Sequence, residues 1–172
     1  TSVSYGKLSV TKTRYNYVIA HLTNADLSIL NDFQDFKEEL NIVNKSFVTL
    51  GKPFIYHGCN VIIRDTMLLA PMGNKSLESI GKLYGSSFEK VKIADALKRN
   101  MHLLLKNDKD LFTKYAITDA IITLVHVNKM VDFYFELNEV GVPVTLSSLS
   151  KKYVLSEWER EDYKGYQLSK KY

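Results

Sequence analysis

The side chains best suited to chemistry are Tyr115 and Asp119, which lie in one predicted helix. Residues four apart in a helix share a face and lie one turn from each other. A carboxylate in such a position can ligate a hard cation such as Mg²⁺, and the phenol can orient a water molecule for attack on a phosphodiester. From the spacing alone, a core aromatic residue beside a solvated aspartate is the commoner explanation of such a pair.

A second acidic position, Asp26, follows a predicted strand and begins a predicted helix in the stretch HLTNAD. Carboxylates that follow the strands of an α/β sheet often lie where ligands bind. The alternative is that Asn24 and Asp26 cap the helix and interact favourably with its dipole. The residues by themselves favour the capping explanation.

Basic residues between these positions could form a positively charged face, or could equally be solvated side chains. They are Lys75, Lys82, Lys90, Lys92, Lys98 and Arg99. The chain has 23 Lys and Arg against 19 Asp and Glu, a net charge of +4 that is compatible with a phosphate-bearing partner. The four histidines are scattered and lack the spacing of a zinc site. The single cysteine excludes an internal disulfide.

The elements that must position these residues are strands and helices in the first half of the chain and helices in the second. Hydrophobic periodicity and turn residues predict strands at 15–21 and 46–50, a hairpin at 54–57 and 60–69, and helices at 23–36, 76–85, 93–105, 108–138 and 147–161. This order predicts an α/β fold with a small mixed sheet and flanking helices. No apolar run approaches the roughly 20 residues that span a bilayer, so we expect no membrane partner.

Three segments together resemble the 3′–5′ exonuclease domain of family B DNA polymerases, and most closely the protein-primed branch of linear mitochondrial plasmids. They are VIAHLTNADLSILNDF, IIRDTMLLAPMGNKSLESIGKLYG and KYAITDAIITLVH, and the resemblance covers about residues 15–166. Asp26 matches the metal-binding Asp of the second exonuclease motif. Tyr115 and Asp119 match the third motif, Tyr-x-x-x-Asp. The nearest match to a catalytic Lys of this branch is Lys90, which precedes Val91, Lys92 and Ile93.

The resemblance implies an incomplete ribonuclease-H-like exonuclease fold over residues 1–162, with 163–172 as a linker or tail. It implies that Mg²⁺ or Mn²⁺ ions are held by four carboxylates, Asp26 and Asp119 among them. It also implies that Tyr115 and Lys90 are catalytic residues beside the scissile phosphate. DNA or RNA would then be the partner, and the mitochondrial matrix the location.

The chain departs from that family in two places. The Asp-x-Glu motif expected upstream of Asp26 is absent, because residues 1–24 contain no acidic residue. Leu22 and Ala25 stand where the family has an Asn and an aromatic residue that contact the DNA end. Two carboxylates do not neutralise two divalent ions, and the loss of a first strand would leave an exposed sheet edge.

Two hypotheses follow from this mixture of matches and departures. In the first, the chain is a segment of a plasmid-type family B DNA polymerase, truncated before the first catalytic motif and incomplete as a nuclease by itself. In the second, it is a non-enzymatic, plasmid-derived remnant that serves as a structural or interaction subunit of a mitochondrial ribonucleoprotein such as the mitochondrial ribosome. The second hypothesis requires no cofactor, and a larger assembly would cover the exposed edge.

Overall fold

A computed structural model describes residues 6–8, 10–11 and 14–160, without the side chains of 159 and 160. This part of the chain is a mixed α/β structure. Its strands are β1 (Asn16–Ala20), β2 (Asn41–Val43), β3 (Ser46–Val48), β4 (Phe54–Tyr56) and β5 (Cys59–Asp65). Its α-helices are α1 (Thr23–Leu27), α2 (Phe33–Phe36), α3 (Leu77–Leu83), α4 (Asp95–Lys98), α5 (Met101–Asn107), α6 (Lys109–Glu136) and α7 (Leu146–Arg160). Short 3₁₀ helices cover Lys37–Glu39, Thr66–Leu68 and Ser86–Phe88.

The central sheet has three strands in the order β1-β5-β4. β1 runs parallel to β5 and ends with Ala20 opposite Asp65, whereas β4 is antiparallel to β5. Among the described residues, β1 pairs only with β5, so one edge of β1 is open. β2 and β3 form a separate hairpin, and its turn residues Asn44 and Lys45 both have positive φ angles, as a type I′ turn requires.

Apolar contacts fix the long helix α6 relative to the sheet. One cluster packs β4 and β5 against α1 and α2 around Phe36, which is fully buried. A second cluster joins α3 to α6 through Ile80 and Ile122. A third joins the segment after β5 to α6 through Leu69 and Val127. The middle of α6 is therefore held beside the end of the sheet at which β1 and β5 finish.

The predicted mixed α/β architecture is confirmed, and the two longest predicted helices, 108–138 and 147–161, are present as α6 and α7. Asp108 caps α6 by accepting a hydrogen bond of 2.9 Å from the amide of Leu111. Ser76 caps α3 in the same way, through the amide of Ser79 at 3.1 Å. None of the helices within the described ranges is long and apolar enough to cross a membrane. The predicted tail at 163–172 lies outside the described residues.

Two predicted helices are wrong as single elements. The helix predicted over 23–36 is two short helices, because its apolar residues at Leu27, Leu30, Phe33 and Phe36 recur every three residues rather than every 3.6. A straight helix would turn this row away from the core. The helix predicted over 93–105 is instead two helices, α4 and α5. At the break between them, the side chain of Asn100 donates a hydrogen bond to the backbone carbonyl of Ala96 in the preceding turn. Strand β2, with three mostly exposed residues, was not predicted.

Helix α3 approaches the following turn so closely that it requires a glycine. A Cβ atom at Gly81 would lie 2.2 Å from the backbone oxygen of Phe88 and 3.2 Å from Ile122. We therefore expect Gly81→Ala to lower the free energy of unfolding by about 2 kcal/mol in chemical denaturation. An unhindered helical site would instead gain about 1 kcal/mol from the same change. Lys82→Ala, at the exposed neighbouring position, is the control, and equal stability of Gly81→Ala and the native chain would contradict this packing.

Candidate active site

A cleft of about 440 Å³ opens where the end of β1 faces the start of α3 and the middle of α6. Its polar side chains are those of His21, Asp26, Asp119 and Thr123, and its apolar lining comes from Ile19, Ala20, Leu77, Ala120, Leu124 and Val127. The two aspartates predicted as metal ligands therefore lie at one cleft, although almost a hundred residues, roughly a small domain's length, separate them in the chain.

Lys90 contacts Asp119, one of the residues that line this cleft. Its Nζ lies 2.9 Å from Oδ2 of Asp119, and both side chains are less than a quarter exposed. The same ammonium lies 5.0 Å from the centroid of the Tyr115 ring, within the range of a cation–π interaction. Because Tyr115 and Asp119 are one turn apart on α6, a single lysine contacts both. Sequence reasoning thus selected three residues that the structure brings into one group.

The ion pair leaves one side of Asp119 without a partner. Burial by itself lowers the pKa of Lys90, but the contacts with Asp119 and Tyr115 outweigh burial and raise that pKa above its ordinary value. The lysine is therefore charged at neutral pH. Oδ1 of Asp119 is buried and has no hydrogen-bond partner in the described structure. An unpaired carboxylate oxygen is costly to bury, and a bound cation would satisfy it.

Asp26 lies in the first turn of α1, and its side chain is exposed at the cleft. Partial burial raises the pKa of Asp26, and the negative charges of Asp65 and Asp119 raise it further. Asp26 does not cap α1, because Leu22 is the N-cap residue and no side chain caps that helix, but its place in the first turn is compatible with the predicted interaction with the helix dipole. A carboxylate under such repulsion is stabilised when a cation lies close to it.

Asp65, for which the sequence predicted no role in the site, is fully buried at the end of β5. Its carboxylate accepts hydrogen bonds from the amides of Leu22 (3.0 Å), Thr23 (2.9 Å) and Met67 (2.9 Å). These bonds hold Leu22 at φ 75°, a left-handed conformation that leucine rarely adopts. Asp65 therefore fixes the turn that leads from β1 to Asp26. The available signal was an acidic residue at the end of a buried strand.

His21 and Thr66 strengthen the same turn. The Nδ1 atom of His21 lies 3.0 Å from the hydroxyl of Thr66, which donates to the carbonyl of Ala20 at 3.2 Å. Burial lowers the pKa of His21, although the nearby charge of Asp65 opposes this effect. A neutral imidazole therefore lines the cleft beside Asp26 and Asp119.

The predicted basic face is partly neutralised. Lys82 forms an ion pair with Glu78 at 2.8 Å, and Lys98 forms one with Asp95 at 2.9 Å. Lys90 pairs with Asp119, and its side chain is 22% exposed. The positive charge in contact with Asp119 therefore comes from this partly buried lysine.

The chain matches no model of a protein family, and no curated protein or solved structure matches it. Among residues 6–8, 10–11 and 14–160, no group of three or more His, Cys, Asp or Glu side chains could hold a metal ion. The interpretation of the cleft therefore rests on its own geometry and electrostatics.

The repulsion that acts on the carboxylate of Asp26 predicts that replacing this carboxylate by a neutral group stabilises the protein. Because the folded chain holds the Asp26 proton more tightly than the unfolded chain does, ionisation of this carboxylate destabilises the fold. We expect Asp26→Asn to raise the free energy of unfolding at pH 7 by less than about 1 kcal/mol, since solvent screens an exposed group. The gain should vanish as the pH falls below about 4.

Urea denaturation from pH 7 to below about pH 4 measures how much Asp26→Asn raises the free energy of unfolding. Asp132→Asn, at an exposed position of α6, is the control. A stability gain that persists at low pH, or that Asp132→Asn shares, would contradict the electrostatic explanation.

The contacts of Asp65 predict the opposite effect for its amide variant. In Asp65→Asn, an NH₂ group replaces one of two oxygens that face backbone N–H donors, so at least one donor loses its partner. We expect a loss of about 2–4 kcal/mol in the free energy of unfolding. Thermal and urea denaturation measure this loss. A variant within about 0.5 kcal/mol of the native chain would show that the carboxylate does not hold the turn.

Proposed function

We propose that the chain is part of a 3′–5′ exonuclease domain of the protein-primed family B polymerase type, with a ribonuclease-H-like fold. Its cleft would bind a divalent cation together with the 3′ end of a single-stranded nucleic acid. One observation carries this proposal: Asp26 and Asp119, from distant parts of the chain, line a single cleft, and Asp119 also pairs with Lys90. The ammonium of Lys90 lies in turn over the ring of Tyr115.

The residues at the cleft fit a hard divalent cation. Asp26 and Asp119 present carboxylates to the same cleft. A bound cation would relieve the repulsion that acts on Asp26, and it would give the buried Oδ1 of Asp119 a partner. Mg²⁺ and Mn²⁺ prefer oxygen ligands, and Mg²⁺ usually retains several of its waters. When bound, such an ion would neutralise charge on a phosphodiester and polarise it.

The other two residues suit the recognition of phosphate. Lys90 provides a charged ammonium beside Asp119, and an ammonium in a partly desolvated place stabilises a phosphate oxygen strongly. The ring of Tyr115 limits the positions that this ammonium can take. The hydroxyl of Tyr115 would orient a water molecule one turn from Asp119, as the spacing of the two residues predicts.

Hydrolysis with two metal ions needs more carboxylates than this cleft supplies. Asp65 is occupied by backbone donors, which leaves Asp26 and Asp119. A further strand that pairs with the open edge of β1 would bring its side chains to this same region of the sheet. We therefore expect the described cleft to bind a cation and a 3′ end, and to cleave efficiently only when such a strand adds its carboxylates.

A specific surface favours a second, non-enzymatic function. Ile117, Ile121 and Leu124 lie on one face of α6 and are 54%, 44% and 55% exposed. Leu124 and Ile19 of β1 line the same cleft, so this apolar row is continuous with the sheet near its open edge. Exposed apolar surface of this kind is typical of protein interfaces. The second candidate is accordingly an interaction subunit, and the resemblance in sequence suggests a mitochondrial ribonucleoprotein in the matrix, such as the mitochondrial ribosome, as its assembly.

Cation-dependent binding of single-stranded DNA tests the first function. In fluorescence anisotropy titrations with a 3′-labelled oligonucleotide, we expect affinity about tenfold higher in Mn²⁺ than in EDTA. Asp26→Asn and Asp119→Asn should remove this difference, because each deletes one of the two carboxylate ligands. Asp132→Asn, on the exposed side of α6, should retain it.

Two outcomes would contradict this function. One is an affinity that is equal in Mn²⁺ and EDTA. The other is a cation dependence that all three variants share. Tight binding of a folded RNA, independent of Mn²⁺ and unaffected by the two cleft substitutions, would support the second candidate instead.

A further inference from the structure

The ion pair between Lys90 and Asp119 uses the carboxylate that the proposed cation also requires. The ammonium lies 2.9 Å from Oδ2 of Asp119, and both side chains are largely withdrawn from solvent. A divalent ion on Asp119 would therefore lie within a few ångströms of a positive charge. Two cations at that separation repel strongly in a partly desolvated site. Either the ammonium moves or the ion binds weakly.

We propose that Lys90 competes with the divalent cation for Asp119, and that a phosphate group ends this competition by drawing the ammonium to itself. The cation and the phosphate would then bind cooperatively. This inference rests on the proposed function and adds a coupling between the two ligands of its cleft.

The surroundings of Lys90 allow the movement that this coupling needs. Lys90 lies between the 3₁₀ helix Ser86–Phe88 and α4, in a segment that is neither helix nor strand. Its ammonium sits at the end of a flexible four-carbon chain and keeps about a fifth of its side-chain surface in solvent. The face of the Tyr115 ring offers it a second contact. The ammonium can therefore leave Asp119 without losing every favourable interaction.

The charges at the cleft make phosphate the stronger partner for that ammonium. The nucleoside 5′-monophosphate that 3′–5′ cleavage releases is a phosphate monoester and carries about −1.5 to −2 charges at neutral pH, whereas Asp119 offers one. Once Lys90 has turned to the phosphate, Asp26 and Asp119 face the cation without a competing positive charge. By thermodynamic linkage, the phosphate must strengthen cation binding by the same factor as the cation strengthens phosphate binding.

Titration with Mn²⁺, followed by the electron paramagnetic resonance signal of the free ion, tests the coupling. The full chain is compared with Lys90→Met and Lys98→Met, each with and without thymidine 5′-monophosphate, after correction for Mn²⁺ bound by the nucleotide itself. Lys98 is a suitable control because it is a nearby, exposed lysine that pairs with Asp95 and not with Asp119.

We expect Lys90→Met to bind Mn²⁺ about fivefold more tightly than the native chain, because the competing ammonium is gone. The nucleotide should tighten Mn²⁺ binding by the native chain about fivefold and have a much smaller effect on Lys90→Met. Lys98→Met should behave like the native chain. Lys90→Gln is the second variant if Lys90→Met does not fold.

Three results would overturn the coupling, and they differ in what they say about the cleft. Equal Mn²⁺ affinities for the native chain and Lys90→Met, with binding still lost in Asp119→Asn, would reject the competition alone. Equal increases in Mn²⁺ affinity for Lys90→Met and Lys98→Met would show only that removing any positive charge strengthens cation binding. Mn²⁺ binding that is absent, or that Asp119→Asn leaves unchanged, would reject both the coupling and the proposed cation site.

Discussion

The buried carboxylate of Asp65 holds the backbone of the turn that follows β1, and the geometry of the cleft depends on this contact. Because β1 and β5 run parallel and finish together, Asp65 lies beside the amides of Leu22 and Thr23. The hydroxyl of Thr23 also accepts a hydrogen bond from the backbone of Phe47 at 2.9 Å. Strand β5, the β3 hairpin and helix α1 are thus joined at one point. From that point α1 directs Asp26 towards α6.

The cleft combines features that a purely structural region of a protein usually avoids. Asp26 is repelled by its acidic neighbours, Asp119 has a buried oxygen without a partner, and Leu22 adopts an uncommon backbone conformation. Such local conflicts tend to occur together at ligand sites, where a bound group resolves them. Lys90 relieves part of the conflict as an internal counter-ion, which explains how the chain tolerates the site without a ligand.

The part of the fold that could be predicted from sequence is the part set by local pattern. Capping residues and long hydrophobic periodicity located α6 and α3, and the pairing of Tyr115 with Asp119 followed from helical spacing. The breaks at 28–32 and 99–100 also have local causes, but these are weaker signals: a spacing of three rather than 3.6 between apolar residues, and a single side-chain bond from Asn100. The role of Asp65 was hidden because it depends on distant segments. Two of its partners, the amides of Leu22 and Thr23, lie more than forty residues away and have no side-chain signature.

The most direct measurement of the central claim is the location of a bound ion. Crystals of the chain grown or soaked with Mn²⁺ can be examined by anomalous diffraction, which identifies the metal independently of any assumption about function. If Asp26 and Asp119 form one cation site, an anomalous peak will lie between their carboxylates, with Lys90 turned away from Asp119. Crystals saturated with Mn²⁺ in which the peaks lie elsewhere, and in which the Lys90–Asp119 ion pair is intact, would contradict it.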